Sequence, residues 1–369
     1  MRVAMLRDEQ LIYASEVITK QLPNDSFYCI KCKERVILKQ SKKGRYFFSH
    51  LTTCGRQERK ATPYESEQHK QAKKLLMRQL SGVTHMIVSE EEYIESIQQT
   101  ADTFIKIQAE RQFIYEYQRS IISAEEVNTR HANYLQVVDQ VYWLLDYQLS
   151  MNLPLSSTWL RTMLAYSKEL GYHLIFLDLE AEVIVIKANL PIIFQKNIYE
   201  CLELTYKIVD HANNTRPIKI HNKVVQTGKI KKSVHYQREI KAIMANSTYR
   251  EDIYFLYEAG IILSEQASWI FTDHWQLLFT DSPSWLIFLW VIVILKNLKG
   301  AFTLKDFSQA IKDHDRIQLK LFPLMNIDPY EHFSVVLVQL FVDKGLIEKL
   351  SSGFFKSSYW EDNSSYDTL

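Results

Sequence analysis

Disulfide chemistry has little to work with in this chain: there are four cysteines among 369 residues, far below the density of secreted domains held together by cross-links. So sparse a set, outside any disulfide framework, implies a reducing cytoplasm. A dominant sign of charge is missing too. The 44 Lys and Arg stand against 43 Asp and Glu, a formal charge of +1, and that balance by itself selects no partner. The start, Met1-Arg2-Val3-Ala4-Met5-Leu6-Arg7-Asp8, lacks the apolar h-region of a secretory leader. It reads as the first of two strands, the second running from Gln10 to Ala14 after a turn near Asp8 and Glu9. A membrane span is lacking as well. Trp285 to Leu295 is an unbroken run of eleven apolar residues, stopped by Asp281 and Pro283 on one side and Lys296 on the other. A spanning helix needs about 20, so the run is expected as a buried helix, with no integral membrane span.

What is present is enough hydrophobic material, 47% of residues, for real cores, and a length that suggests two or three domains. Charge is unevenly placed. Residues 1–80 hold 17 Lys and Arg against 8 Asp and Glu, and residues 216–250 hold 9 against the single acid Glu239. Lys229, Lys231 and Lys232 lie in the second stretch. Both suit phosphate contact, and so DNA.

The densest chemistry lies between residues 65 and 134. Phe113 to Gln118 is rich in aromatic and β-branched residues and reads as a strand. The pleat has a period of two, so Glu116 and Gln118 share a face. Gln99-Thr100-Ala101-Asp102 precedes it on a neighbouring apolar strand, which allows Asp102 to meet them. Phosphodiester cleavage assisted by Mg²⁺ needs such converging acidic oxygens, with a third side chain to orient water. Upstream, Glu65, Glu67, His69 and Lys73 fall in a helical stretch ending near Leu80, with His69 and Lys73 on one face. Downstream, Ser120 and Ser123 bracket a helix start, and Arg130 and Tyr134 are again four apart.

Taken in order, ESEQH-x3-K, the QTAD strand, EYQRS-I-IS and R-x3-Y resemble the competence protein CoiA family over residues 25–145. The resemblance implies an α/β fold with a restriction-endonuclease-like (PD-(D/E)xK) core. It makes Asp102 and Glu116 the ligands of Mg²⁺ or Mn²⁺ and Glu67 or Glu65 the helix acid, with His69 and Lys73 beside the site. Gln118 stands where the superfamily usually has a catalytic lysine. A neutral amide orients by hydrogen bonding but brings no charge, so Lys73, Arg119 or Arg130 would supply the cation. Arg119, Arg130 and Tyr134 are also candidates for DNA contact. The implied role is natural transformation, with action on incoming single-stranded DNA in the cytoplasm. The competing reading is a non-catalytic DNA-binding protein that delivers recombination proteins to that DNA.

A second constellation precedes this one. Cys29-x2-Cys32, then seventeen residues, then His50-x3-Cys54 has zinc-knuckle spacing, and three of the four cysteines fall within these 26 residues. Two tight pairs close a tetrahedral ion with no open position, which is the arrangement of a structural Zn²⁺. A β-ribbon this small would draw its folding energy from the metal.

The organisation expected is a β/zinc-finger-like unit over 1–60, a nuclease-like core over 61–150, an α/β extension with basic linker over 151–235, and a largely helical domain over 236–369. Within these, Ser157 to Gly171 and Asn189 to Ala212 read as helices, the latter after a Pro191 start signal. Residues 172–177 and 183–186 read as a hairpin, and Asn213 to Val234 as a linker or DNA-facing loop. Near the end, Leu304 to Ile311 capped by Thr303, His332 to Lys344, and a hairpin over 346–356 form the outline of a winged helix.

Overall fold

The structure is a computed structural model that describes residues 3–6, 11–14, 17, 27–29, 33–40, 46–50, 66–108, 111–150, 154–195, 198–226, 235–298, 300–350 and 353–358. The chain divides into two units, residues 1–65 and 66–369. The first is a five-stranded sheet of β1 (Val3–Met5), β2 (Leu11–Tyr13), β3 (Phe27–Tyr28), β4 (Arg35–Gln40) and β5 (Tyr46–His50), ordered β2-β1-β3-β4-β5. Its two N-terminal strands pair antiparallel as expected. Ala4, Ile12, Phe27, Val36 and Phe48 form its small core.

The second unit opens with α1 (Glu67–Leu80), whose first turn is closed by the Ser66 hydroxyl accepting from the His69 amide. An antiparallel meander follows: β6 (Met86–Ile94), β7 (Gln99–Ile107) and β8 (Arg111–Gln118). Ser123 caps α2 (Ala124–Tyr134), which carries the chain over to β9 (Gln140–Asp146), parallel to β8. A parallel neighbour requires such a crossover, because a tight turn can only reverse the chain.

Beyond β9 the sheet continues through β10 (Ala165–Ser167), β11 (Gly171–Asp178), β12 (Val183–Ala188), β14 (Ile198–Lys207) and β15 (Lys219–Gln226), while β13 (Ile193–Gln195) leaves it. The path is β15-β14-β12-β11-β9-β8-β7-β6, with β10 attached to β11. Three expectations are corrected here. The helix over Ser157 to Gly171 shrinks to one turn, Thr158–Thr162, followed by strand β10. Asn189 to Ala212 is mainly β13 and β14, with only α3 (Ile208–Ala212) helical. Burial does alternate along β14, with Tyr199, Cys201 and Glu203 buried, but Glu200 and Glu203 fall three apart among apolar residues and so mimic a helical period. The expected linker holds β15, paired with β14 along its whole length. It is polar because it is an edge.

The sheet is covered on both faces. Leu75, Leu76 and Leu80 of α1 and Ile208 of α3 pack with Phe113, Tyr115 and Tyr117 on one side. On the other, Ile114, Trp143, Leu145 and Phe176 share a core with the C-terminal half. That half contains α4 (Tyr236–Ala245), α5 (Arg250–Glu258), β16 (Trp275–Leu277) and the buried α6 (Ser284–Asn297). Every residue from Leu286 to Leu295 of α6 is buried, as the eleven-residue run implied. Among the described residues no helix is long and apolar enough to cross a membrane. The end runs β17 (Ala301–Thr303), α7 (Leu304–Lys312), α8 (Pro329–Asp343), β18 (Ile347–Lys349) and β19 (Phe354–Ser357), the strands ordered β17-β19-β18. Thr303 and Asp306 close a capping box at the start of α7.

Candidate functional site

The β7–β8 ladder runs from Ile107↔Arg111 to Thr103↔Tyr115 and stops there. One step further, Asp102 and Glu116 stand opposite each other, and their side chains take over from the missing backbone bonds. The Asp102 amide donates to Glu116 Oε1 at 3.2 Å, and the Tyr117 amide donates to Asp102 Oδ2 at 3.0 Å. Two carboxylates are thereby brought together where the strands separate. Each has a cationic or titratable neighbour from a flanking helix. His69 Nε2 of α1 lies 2.9 Å from Asp102 Oδ2, and Arg130 of α2 pairs with Glu116 Oε2.

Electrostatics separates the two acids. Burial works to raise Asp102, but the hydrogen bond and charge of His69, with Lys73 and the Tyr117 amide, hold it below the usual carboxylate value. For Glu116, burial and the adjacent Asp102 charge prevail over Arg130 and push its carboxyl up to about 7. Arg130 lies 5.3 Å from the centre of the Trp143 ring and 3.5 Å from the Tyr134 hydroxyl, which donates to the Thr100 carbonyl at 2.8 Å. Tyr134 thus anchors α2 to β7.

The remaining candidates divide. Gln118 is buried on the Glu116 side of β8, with its amide donating to the carbonyl and hydroxyl oxygens of Ser120. Trp159 Nε1 donates to the same carbonyl at 3.1 Å. Lys73 pairs with Glu91 at 2.6 Å, and Glu91 sits in β6 with φ at 54°, a left-handed kink in the strand. Glu67 is exposed and lies 3.6 Å from Lys70, one turn further along α1. Glu65, Lys229, Lys231 and Lys232 lie outside the described residues. Arg119 pairs at 3.1 Å with Asp146, the buried last residue of β9. Neither Asp146 nor Glu91 stood out in the sequence. Asp146 had one usable signal, as the acid ending an apolar strand reached by a crossover.

In the first unit, Cys29 follows β3 and His50 ends β5, and the register places both at one end of the sheet: Phe27 pairs with Val36, and Val36 with His50. The Cys29 amide donates to the Glu34 carbonyl at 2.7 Å, and Lys33 sits at φ 57°. Cys32 and Cys54 lie outside the described residues. Among the described residues, no cluster of three or more His, Cys, Asp or Glu side chains comes together to hold a metal.

A mixed sheet with two facing carboxylates, Glu116 buried and Asp102 half-buried, at an opened ladder defines an α/β protein with an acid site. The family model for the competence protein CoiA nuclease-like domain matches residues 65–215, and that for the competence protein CoiA N-terminal domain matches residues 13–55. The chain belongs to the competence protein CoiA family. No curated protein and no solved structure matches it.

Proposed function

We propose that the nuclease-like core is a metal-dependent deoxyribonuclease acting on incoming single-stranded DNA during natural transformation. The Asp102–Glu116 pair at the open end of the β7–β8 ladder carries this reading. The order α1-β6-β7-β8-α2-β9 supports a PD-(D/E)xK assignment. The donor set suits a hard cation: two carboxylates raise each other's energy, as the elevated Glu116 reflects, and the protein meets their charge with Arg130 and His69. Asp102 and Glu116 would hold Mg²⁺ or Mn²⁺, which would polarise the phosphate and acidify a water. Gln118 would orient water or phosphate through its carbonyl oxygen, since its amide already donates to Ser120. Arg130 would bring the positive charge that glutamine lacks. Glu65 and Glu67 would serve as outer acids, with Lys73 as a neighbouring charge. Arg119, Lys229, Lys231 and Lys232 would contact DNA phosphates, each adding a salt-sensitive increment. In the first unit, Cys29, Cys32, His50 and Cys54 would hold a structural Zn²⁺.

One observation favours the second reading, a non-catalytic DNA-binding protein that recruits recombination proteins. The winged-helix outline of β17 to β19 presents Glu331, Val335 and Gln339 on the exposed side of α8, an acidic and apolar face that suits protein contact over DNA contact. Degradation of end-labelled single- and double-stranded DNA with Mg²⁺ or Mn²⁺ separates the two. Cleavage lost in both Asp102→Ala and Glu116→Ala supports the nuclease. DNA binding without cleavage supports recruitment.

A further inference from the structure

The sheet forks at the opposite end of β9. Its ladder with β11 begins only at Leu144↔Ile175. Before that point β9 pairs with β8, while the first residues of β11 pair with β10, from Ser167↔Gly171 to Ala165↔His173. Between the prongs lies a cavity of about 670 Å³, within the range of small-molecule sites. Three histidines (His131, His173, His211) and three tyrosines (Tyr142, Tyr166, Tyr206) line it, with no Lys or Arg among its lining residues. Two acids, Asp139 and Glu169, border it as well. The nearest cation, Arg111, stands behind Tyr142 and His211 and donates to the Ala212 carbonyl; with two acids at the border, the cavity gives an anion no net countercharge, so phosphate is disfavoured.

The hydrogen bonds of two histidines set their tautomers. Trp143 Nε1, which can only donate, lies 3.3 Å from His131 Nδ1, so the His131 proton sits on Nε2 as a donor. The Gly171 carbonyl, which can only accept, lies 3.0 Å from His173 Nδ1, so His173 keeps Nε2 as an acceptor. Burial favours the neutral imidazole in both. Aromatic walls, one imidazole donor, one imidazole acceptor and no Lys or Arg in the lining suit a flat, uncharged heterocycle that itself carries donors and acceptors.

We propose that this forked cavity binds a nucleobase, presented as a free nucleoside or as an unstacked base of a DNA strand. The choice of nucleobase among flat heterocycles rests on the DNA-processing reading. Trp143 links the cavity to the carboxylate site, since its indole binds His131 on one side and carries Arg130 on the other. A base held here would therefore position the guanidinium that neutralises Glu116.

Calorimetric titration of the full-length protein with adenosine, thymidine and inorganic phosphate tests the proposal, without reliance on cleavage. Saturable nucleoside binding is expected, unaffected by phosphate and retained in Asp102→Ala. His173→Phe should weaken it about tenfold, the loss of one hydrogen bond in a confined site, and Tyr166→Ala should weaken it independently. In the wild type, the ring signals of His131 and His173 should shift on titration in NMR spectra. Absence of nucleoside binding by the wild type overturns the proposal, as does binding lost in Asp102→Ala and kept in both cavity variants. A protein that binds nucleosides through these residues yet cuts no DNA would retain the cavity assignment and lose the nuclease.

Discussion

Glu116 is 1% exposed and faces a second carboxylate, so its ionised form depends on the Arg130 guanidinium. Removing one member of such a buried pair costs far more than removing both, because the survivor keeps its desolvation penalty. Arg130→Met is therefore expected to lower stability by about 3 kcal/mol in urea unfolding, and the double variant with Glu116→Gln to recover much of the loss. A double variant no more stable than Arg130→Met would show that packing on Trp143 dominates. His211 gives a pH prediction. Burial, with the charges of Arg111 and His173, depresses it from 6.5 to about 3. The unfolded chain then binds a proton that the folded one refuses between those values. Stability is intact above the unfolded value and falls as pH drops from 6.5 towards 3, at ~1.4 kcal/mol per pH unit for one proton. His211→Gln should remove about one proton's worth of that slope in pH-dependent melts. These pairings were only partly legible. The period-two pleat gave Glu116 and Gln118 one face, but Arg130 and Tyr134 looked like DNA contacts, whereas the fold buries Tyr134 and pairs the half-exposed Arg130 with Glu116.

At the scale of elements, the β10–β11 fork depends on Gly171. It sits at φ 59°, and a Cβ there would lie 2.8 Å from the Asn189 side-chain oxygen. A left-handed conformation disfavours other residues by about 1–2 kcal/mol, while the Asn189 side chain can swing aside to admit the Cβ. Gly171→Ala is expected to be destabilised by about that amount, with an unchanged unfolding slope in denaturant; a neutral substitution would show that the turn adjusts freely. Capping signals were readable at this scale, because they act within one turn: Thr303 and Ser123 both cap the helices they precede. The β14 segment was misread because Glu200 and Glu203, three apart among apolar residues, mimic a helical period. β15 was misread for another reason, since an edge strand needs few apolar residues.

For the whole molecule, the shared core decides what folds with what. Ile114, Trp143, Leu145 and Phe176 of the sheet join Leu286, Ile287, Phe288 and Phe333 of the C-terminal half in one cluster. Ending the chain at His235 would expose that face, and apolar burial contributes roughly 25 cal/mol per Å². Such a fragment should lose cooperative thermal unfolding and bind the dye ANS. A sharp melt without dye binding would show that the sheet sustains its fold without the helices.

By itself the sequence determined what local rules govern: which residues line one face of β8, where α1 ends, where α2 and α7 begin, and that Trp285 to Leu295 must be buried. It also carried the motif blocks that place the chain in its family. Tertiary structure alone decided that the β7–β8 ladder opens at Asp102 and Glu116, that His69 and Arg130 meet them, that Asp146 arrives beside Arg119, and that β9 and β11 part around a cavity. The division has one physical cause. Caps and pleats are set by neighbours a few residues apart, whereas these pairings join groups from 14 to 33 positions apart or depend on which strands become neighbours.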